Sequence, residues 1–210
     1  MRYEIPHIAE GTYDGVTVVG QTKSNINSKI LVRGTNNTIE LVGLPYVDNL
    51  KVEFLGNNNR LVIGQNCRLR GVITVGDGSR VEFGAGVHIT RPSQVVAREG
   101  TEIVVGNGCL FSDVTIMSTD AHSILDLTTR KRLNKAKNVR IGDKVWLAEK
   151  VAVYKGAEIG RGSVIGARSV VRGTIPENVV AVGVPAKVVR SNIAWSHKLL
   201  DDDGNVVGAV

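Results

Sequence analysis

Residues 139–171 read VRIGDKVWLAEKVAVYKGAEIGRGSVIGARSVV. Within them Ile141, Leu147, Val153, Ile159, Ile165 and Val171 recur at steps of six. Two residues before each stands a small or β-branched residue: Val139, Val145, Val151, Ala157, Ser163 and Ser169. A helix repeats near 3.6 residues and a half-buried strand near 2, so a sustained period of six is neither alone. It fits short parallel strands laid along the flats of a triangular prism, one hexapeptide per face. Each face then sends one aliphatic into a continuous inner column, and the small residues let the chain turn the corner. Gly142, Gly160 and Gly166 directly follow an aliphatic and are expected at turns that require positive φ.

The pattern continues upstream in looser form. GTNNTIELV, GNNNRLVIG, GDGSRVEFG and REGTEIVVG can be superposed, starting at Gly34, Gly56, Gly76 and Arg98. These coils exceed three hexapeptides, so each carries a small bulge or loop. The alternation predicts that Ile39 and Leu41, Leu61 and Ile63, Val81 and Phe83, and Ile103 and Val105 point inward. Asn36 and Asn37, like Asn57, Asn58 and Asn59, are placed at corners, where Asn tolerates left-handed geometry. The fold class that follows is all-β, with the prism over residues 1–190, a protruding excursion at 118–138, and a short C-terminal helix and tail over 191–210.

Composition agrees. Across 210 residues there are 24 Gly, and only 4% of residues are aromatic. A solenoid has a narrow core of stacked aliphatics and can dispense with large rings. The formal charge of +6 favours acidic partners modestly. No helix-turn-helix, RNP or zinc-finger pattern appears, so no nucleic-acid partner is expected. Cys67 and Cys109 replace small inward residues and read as buried thiols. The histidines, His7, His88, His122 and His197, form no close pair, so no metal site is expected. No stretch has the length and apolarity of a signal peptide or a bilayer span, and the expectation is a cytoplasmic protein.

Between Met117 and Val139 the repeat gives way to STDAHSILDLTTRKRLNKAKN. Such departures from a regular scaffold usually carry function. TDAHSI at 119–124, IGDKVWLAEKV at 141–151, IGARSVV at 165–171 and VGVPAKVVR at 182–190 follow in that order. Together they closely resemble the hexapeptide-repeat acyltransferases, left-handed β-helix proteins that use acetyl-CoA or a related thioester. The likeness covers roughly residues 100–195 in detail and the upstream coils in architecture. The excursion with the following coil looks most like O-acetyltransferases of bacterial capsular and O-antigen polysaccharides.

That resemblance implies a left-handed parallel β-helix assembled as a homotrimer, with acetyl-CoA as co-substrate and a carbohydrate acceptor. It implies that His122 is the general base, a task suited to an imidazole at neutral pH. Asp120 could orient that ring or simply cap a turn. No Cys or Ser lies in a nucleophile motif, so the acceptor hydroxyl would attack the thioester directly. Trp146 matches the family's tryptophan and should face outward, lining the cleft or packing at an interface. Ala148 stands where the family usually has Gly, one coil from Gly166 on the coenzyme edge. Ala167 and Arg172 match further coenzyme positions, although Thr is common in place of Arg172. Lys187 and Arg190 match cations on the phosphate side. The cations Arg130, Lys131, Arg132, Lys135, Lys137 and Arg140 could attract an anionic glycan or coenzyme phosphates, or merely keep the loop solvated. Two alternatives stand beside O-acetylation: N-acetylation of a nucleotide-linked amino sugar, and a non-catalytic β-helix that binds or supports.

Overall fold

The structure, a computed structural model, describes residues 3–207, and no helix occurs among them. The chain winds into coils that lay a strand on each of three faces. The first face runs from Gly11–Tyr13 and Val16–Val19 through Asn37–Leu41, Arg60–Ile63, Arg80–Phe83, Glu102–Val105, Val139–Ile141 and Glu158–Ile159 to Thr174–Ile175. The second holds His88–Arg91, Leu110–Ser112, Trp146–Leu147, Val164–Ile165, Val179–Gly183 and Ala186–Ser191. Single bridges from Ser24 to Tyr46, Arg68 and His88 extend it toward the N-terminus. The third runs from Tyr3–Ile5 and Lys29–Arg33 through Leu50–Leu55, Gly71–Gly76, Ser93–Ala97, Thr115–Met117 and Ala152–Tyr154 to Val170–Val171. The architecture is the three-faced prism of parallel strands that the six-residue period predicts, and it fits the left-handed parallel β-helix that the resemblance implies.

Parallel register stacks like on like. On the first face Leu41, Ile63, Phe83, Val105, Ile141, Ile159 and Ile175 align in one buried column. The second aligns Ile89, Phe111, Leu147, Ile165 and Ala181; the third aligns Ile116, Val153 and Val171. Every inward position read from the period is buried, including Val145, Val151, Ser163 and Ser169. Cys67 and Cys109 are buried free thiols, and burial pushes them up to about 11 and about 12, so neither is a ready nucleophile.

The corner glycines depart from expectation. Gly142, Gly160 and Gly166 do not adopt positive φ. They are small because the next coil passes close by: a Cβ would meet the Arg161 nitrogen at 2.7 Å from Gly142, and the Glu177 nitrogen at 2.4 Å from Gly160. The left-handed residue comes two positions later, at Lys144, Gly162 and Arg168, with φ of 51°, 68° and 60°. The asparagine corners behave as read. Asn36 and Asn58 are left-handed, and their side chains bond to each other at 2.6 Å. The buried Asn59 donates from Nδ2 to the side-chain Oδ1 of Asn37 at 2.8 Å and accepts at its own Oδ1 from the Gly78 and Ser79 amides.

The expected C-terminal helix does not form; residues 208–210 of that segment lie outside the described residues. After Ala186–Ser191 returns antiparallel, Asn192 turns left-handed at φ 58°. Trp195 then docks on the second face, its Nε1 donating to the Lys144 carbonyl at 2.6 Å. A short isolated helix has a costly nucleus, and three aspartates at its C-terminal end would oppose its dipole. Asp201 instead closes a turn by accepting from the amides of Asp203 and Asn205. Among the described residues no helix is long and apolar enough to cross a membrane.

Candidate active site

The excursion leaves the corner after Thr115–Met117 on the third face and rejoins at Val139 on the first. Ile103 pairs with Val139, 36 residues on, whereas Ile141 pairs with Ile159 only 18 residues on, so this arm adds the length of a whole coil. Its tip folds on itself. Leu125 bridges Arg132, and the Asp126 carboxylate accepts from the Thr128 and Thr129 amides at 3.0 and 2.6 Å.

Two clasps hold its root. At the first, Arg132 brackets Glu99 with contacts of 2.5 and 3.1 Å, and the Thr119 hydroxyl donates to the same carboxylate. Arg132 and Thr119 together hold Glu99 down at about 2. At the second, Asn134 Nδ2 donates to Asp120 Oδ2 at 2.8 Å and to the His122 carbonyl at 2.7 Å. Lys155, from the next coil, donates to Asp120 Oδ2 at 2.5 Å and to the Asn134 carbonyl at 3.0 Å. Lys155, with Asn134, holds the Asp120 carboxyl below the ordinary carboxylate range.

His122 is thereby fixed by its backbone, its amide donating to the Asp120 carbonyl at 2.8 Å. The imidazole is exposed, and no described side chain hydrogen-bonds to it. Asp120 is held by Lys155 and Asn134 rather than by the ring. Arg172 stands at the same corner, its guanidinium 5.3 Å from the Tyr154 ring. Of the arm's cations, Arg132 is taken up by Glu99, and Arg140 lies 3.6 Å from Glu102. Arg130, Lys131, Lys135 and Lys137 form no ion pair among the described residues.

The other predicted residues gather elsewhere. His88, Leu110, Trp146, Val164, Val180 and Arg190 form one outward row on the second face. Trp146 is 37% exposed, and its ring centroid lies 5.9 Å from that of Trp195. With Val164, Val180, Arg190 and Trp195 it lines a shallow cavity of about 480 Å³. Ala148, Gly166 and Ala167 occupy the following corner. A Cβ on Gly166 would meet Val182 Cγ1 at 2.6 Å, so a larger residue there would have to displace the Val182 side chain. Lys187 and Arg190 lie on the final strand, paired with Val182 and Val180. Within one chain His122, Asp120 and Arg172 therefore share the arm's corner, while Trp146, Ala148, Gly166, Ala167, Lys187 and Arg190 share the second face and its edge. Among the described residues no His, Cys, Asp and Glu cluster could hold a metal ion.

Sequence reasoning missed Glu99, Asn134, Lys155 and Trp195. Lys155 was accessible in principle: with the arm excised, Met117 pairs with Tyr154, which brings Lys155 to the arm's root. Asn134 lacked any periodic signal. Replacing Asn134 by Ala should loosen residues 120–134, raising their amide hydrogen exchange while the coils stay protected. Glu99 gives the same arm a pH dependence. A carboxyl depressed by folding stabilises fully above its ordinary value of 4.5, and that contribution disappears as pH falls toward about 2. Arm exchange should accelerate in that window, and an unchanged profile would show that the clasp does not hold the arm.

Residues 138–173 match the family model described as bacterial transferase hexapeptide (six repeats). The polysialic acid O-acetyltransferase of Neisseria meningitidis is 30% identical over 191 residues, covering 80% of this chain and 89% of that protein. The polysialic acid O-acetyltransferase of Escherichia coli O1:K1 / APEC is 34% identical over 146 residues, or 67% of this chain; the chain spans about half of that longer relative, 47%. The crystal structure of the polySia-specific acetyltransferase NeuO superposes with a TM-score of 0.84 at 30% identity, covering 90% of this chain and 87% of that one. The chain belongs to the hexapeptide-repeat acyltransferases and, within them, to the polysaccharide O-acetyltransferase type.

Proposed function

We propose that the protein transfers an acetyl group from acetyl-CoA to a hydroxyl of an anionic bacterial surface polysaccharide or its precursor. One observation carries the mechanism: His122 is locked through its backbone while its imidazole stays free and exposed. The ring takes the proton of the acceptor hydroxyl as that oxygen attacks the thioester carbonyl. The tetrahedral intermediate then collapses, the coenzyme A thiolate leaves, and the imidazolium returns the proton to it. No acyl-enzyme is formed. Asp120 serves by fixing the arm through Lys155 and Asn134. A catalytic group must be held within a fraction of an ångström to be effective.

The separation of His122 from the Trp146 row supports a cleft shared between subunits of a cyclic homotrimer. Ile124, Leu127 and Leu133 are exposed on the arm, Leu127 at 86%, and an apolar tip of this kind favours a covering surface. Trp146 of another copy would bring the row, and with it Ala148, Gly166 and Ala167, against the base. Light scattering should then report three chains, and a stable monomer would remove the shared cleft. Lys187 and Arg190 would meet coenzyme phosphates with charge-assisted bonds. Replacing both by Ala should raise the acetyl-CoA KM about tenfold with kcat nearly unchanged, the pattern for lost uniform binding. Acetyl-CoA as donor places the reaction in the cytoplasm.

The deciding experiment is acetyl-CoA-dependent thiol release with three acceptors: polysialic acid, a neutral polysaccharide and a nucleotide-linked amino sugar. Release with the anionic polymer is expected. Release with the amino sugar alone would point to N-acetylation, and release with none would refute the reading.

A further inference from the structure

Outward cations are not distributed evenly around the prism. On the first face and its following corner they are neutralised within a strand or from coil to coil: Arg60 lies 2.8 Å from Glu40, Arg80 2.5 Å from Glu82, and Arg161 3.2 Å from Glu177. On the third face Lys51 lies 2.6 Å from Glu53, and Lys29 3.6 Å from Glu4. The upstream part of the second face is different. There Ser24, Tyr46, Arg68 and His88 bridge coil to coil in one outward row that continues through Leu110 to Trp146. Its downstream part is flanked by the C-terminal segment, with His197 6.2 Å from His88 and Trp195 5.9 Å from Trp146 between ring centroids. Arg68 and Lys23 are exposed and stand 4.5 and 5.4 Å from the Tyr46 ring centroid. Tyr46, Arg68 and Arg70 line one small pocket, and the Arg70 Nε is buried without a hydrogen-bond partner among the described residues. None of Lys23, Arg68 and Arg70 forms an ion pair among the described residues. The carboxylate in that pocket, Asp48, is committed to the Ser24 hydroxyl at 2.6 Å and the Ile26 amide at 2.9 Å.

We infer that the uncovered upstream part of this row, where Lys23, Arg68 and Arg70 gather, is a binding track for the body of an anionic polysaccharide whose reacting end lies toward Trp146. The inference rests on the proposed acceptor and adds where the chain remote from the reacting hydroxyl is held. Successive coils are about 4.8 Å apart, so the five steps from Ser24 to Trp146 put the far end of the track about 24 Å from Trp146, a distance bridged by several sugar units rather than one. A cluster of cations meeting a line of anions releases counterions, so affinity grows with polymer length and falls with salt. A nucleic acid suits the track less well. Single-strand binding relies on aromatic faces for base stacking, and here the Arg68 guanidinium lies over the Tyr46 ring.

The test is direct binding by the whole chain of polysialic acid, polygalacturonate, a sialic acid disaccharide, and an oligonucleotide of matched charge. Thiol release is measured in parallel. The wild type should bind an anionic polymer more tightly than the disaccharide. The double variant Lys23→Ala with Arg68→Ala should bind that polymer about tenfold more weakly, with a shallower salt dependence. Its binding of the disaccharide and its acetyl-CoA KM should not move. Equal polymer binding by variant and wild type, no preference for length, binding of neither polymer, or capture of the oligonucleotide instead would each overturn the track. Length-dependent binding without thiol release would leave the track standing and overturn the reaction; thiol release without length dependence would do the reverse.

Discussion

Replacing His122 by Ala is expected to lower acetyl transfer by at least about 10²-fold, the low end for loss of a general base. The cause would be chemical rather than structural. His122 contributes its carbonyl to Asn134 and its amide to the Asp120 carbonyl, and Ala retains both groups. The exposed imidazole packs against no core, so thermal stability should stay within about 0.5 kcal/mol, as for other surface substitutions. Acetyl-CoA binding should survive, because the positions assigned to the coenzyme other than Arg172 lie on the second face and its edge. Steady-state kinetics with a saturating acceptor, paired with a melting curve, checks all three expectations. Near-normal turnover by the variant would place the base elsewhere.

Replacing Phe111 by Ala should be among the most damaging single changes to the scaffold. Its ring is fully buried in the second-face column between Ile89 and Leu147. Truncating a buried Phe typically costs about 3–5 kcal/mol, the loss of transfer free energy plus the cavity left behind. In a solenoid each coil rests only on its neighbours, so the cavity falls between the coils that flank the arm. The arm and Trp146 should therefore lose order before the N-terminal coils do. Hydrogen exchange resolved along the chain can read this. Uniform destabilisation would show instead that the prism unfolds as one unit.

The prism was legible because one physical requirement repeats at every hexapeptide. Ile141, Leu147 and Val153 all answer the same demand, an aliphatic facing a narrow axis, so periodicity multiplies the signal. The coil glycines were found but misread. Gly142 and Gly160 are small to let the neighbouring backbone pass, a contact between residues some 18 positions apart that no local turn rule contains. The C-terminal segment misled because its pattern of apolar and polar residues was weighed without its partner: Trp195 gains more by docking near Trp146 than a short helix would offer. His122 could be named from its motif, yet what fixes it is Asn134, inside the aperiodic loop, together with Lys155 on the next coil. Lys155 follows from the coil register once the arm is excised, whereas Asn134 leaves no spacing in the sequence to detect.

The two ends of the prism bear on a hazard peculiar to this architecture. A stack of parallel strands presents, at its first and last rung, a row of unpaired amides and carbonyls on which a second molecule could continue the ladder, growing into a fibre. Here the first rung of two faces is a reversed strand, Tyr3–Ile5 on one and Gly11–Tyr13 on the other, and the last rung of the second face is the reversed Ala186–Ser191. The remaining faces finish on the two-residue strands Val170–Val171 and Thr174–Ile175. A reversed strand interrupts the run of identical parallel coils, so an incoming copy does not meet the rung its own coils stack on, and a two-residue strand offers almost no groups to pair. The terminal segments thus act as stoppers against end-to-end polymerisation.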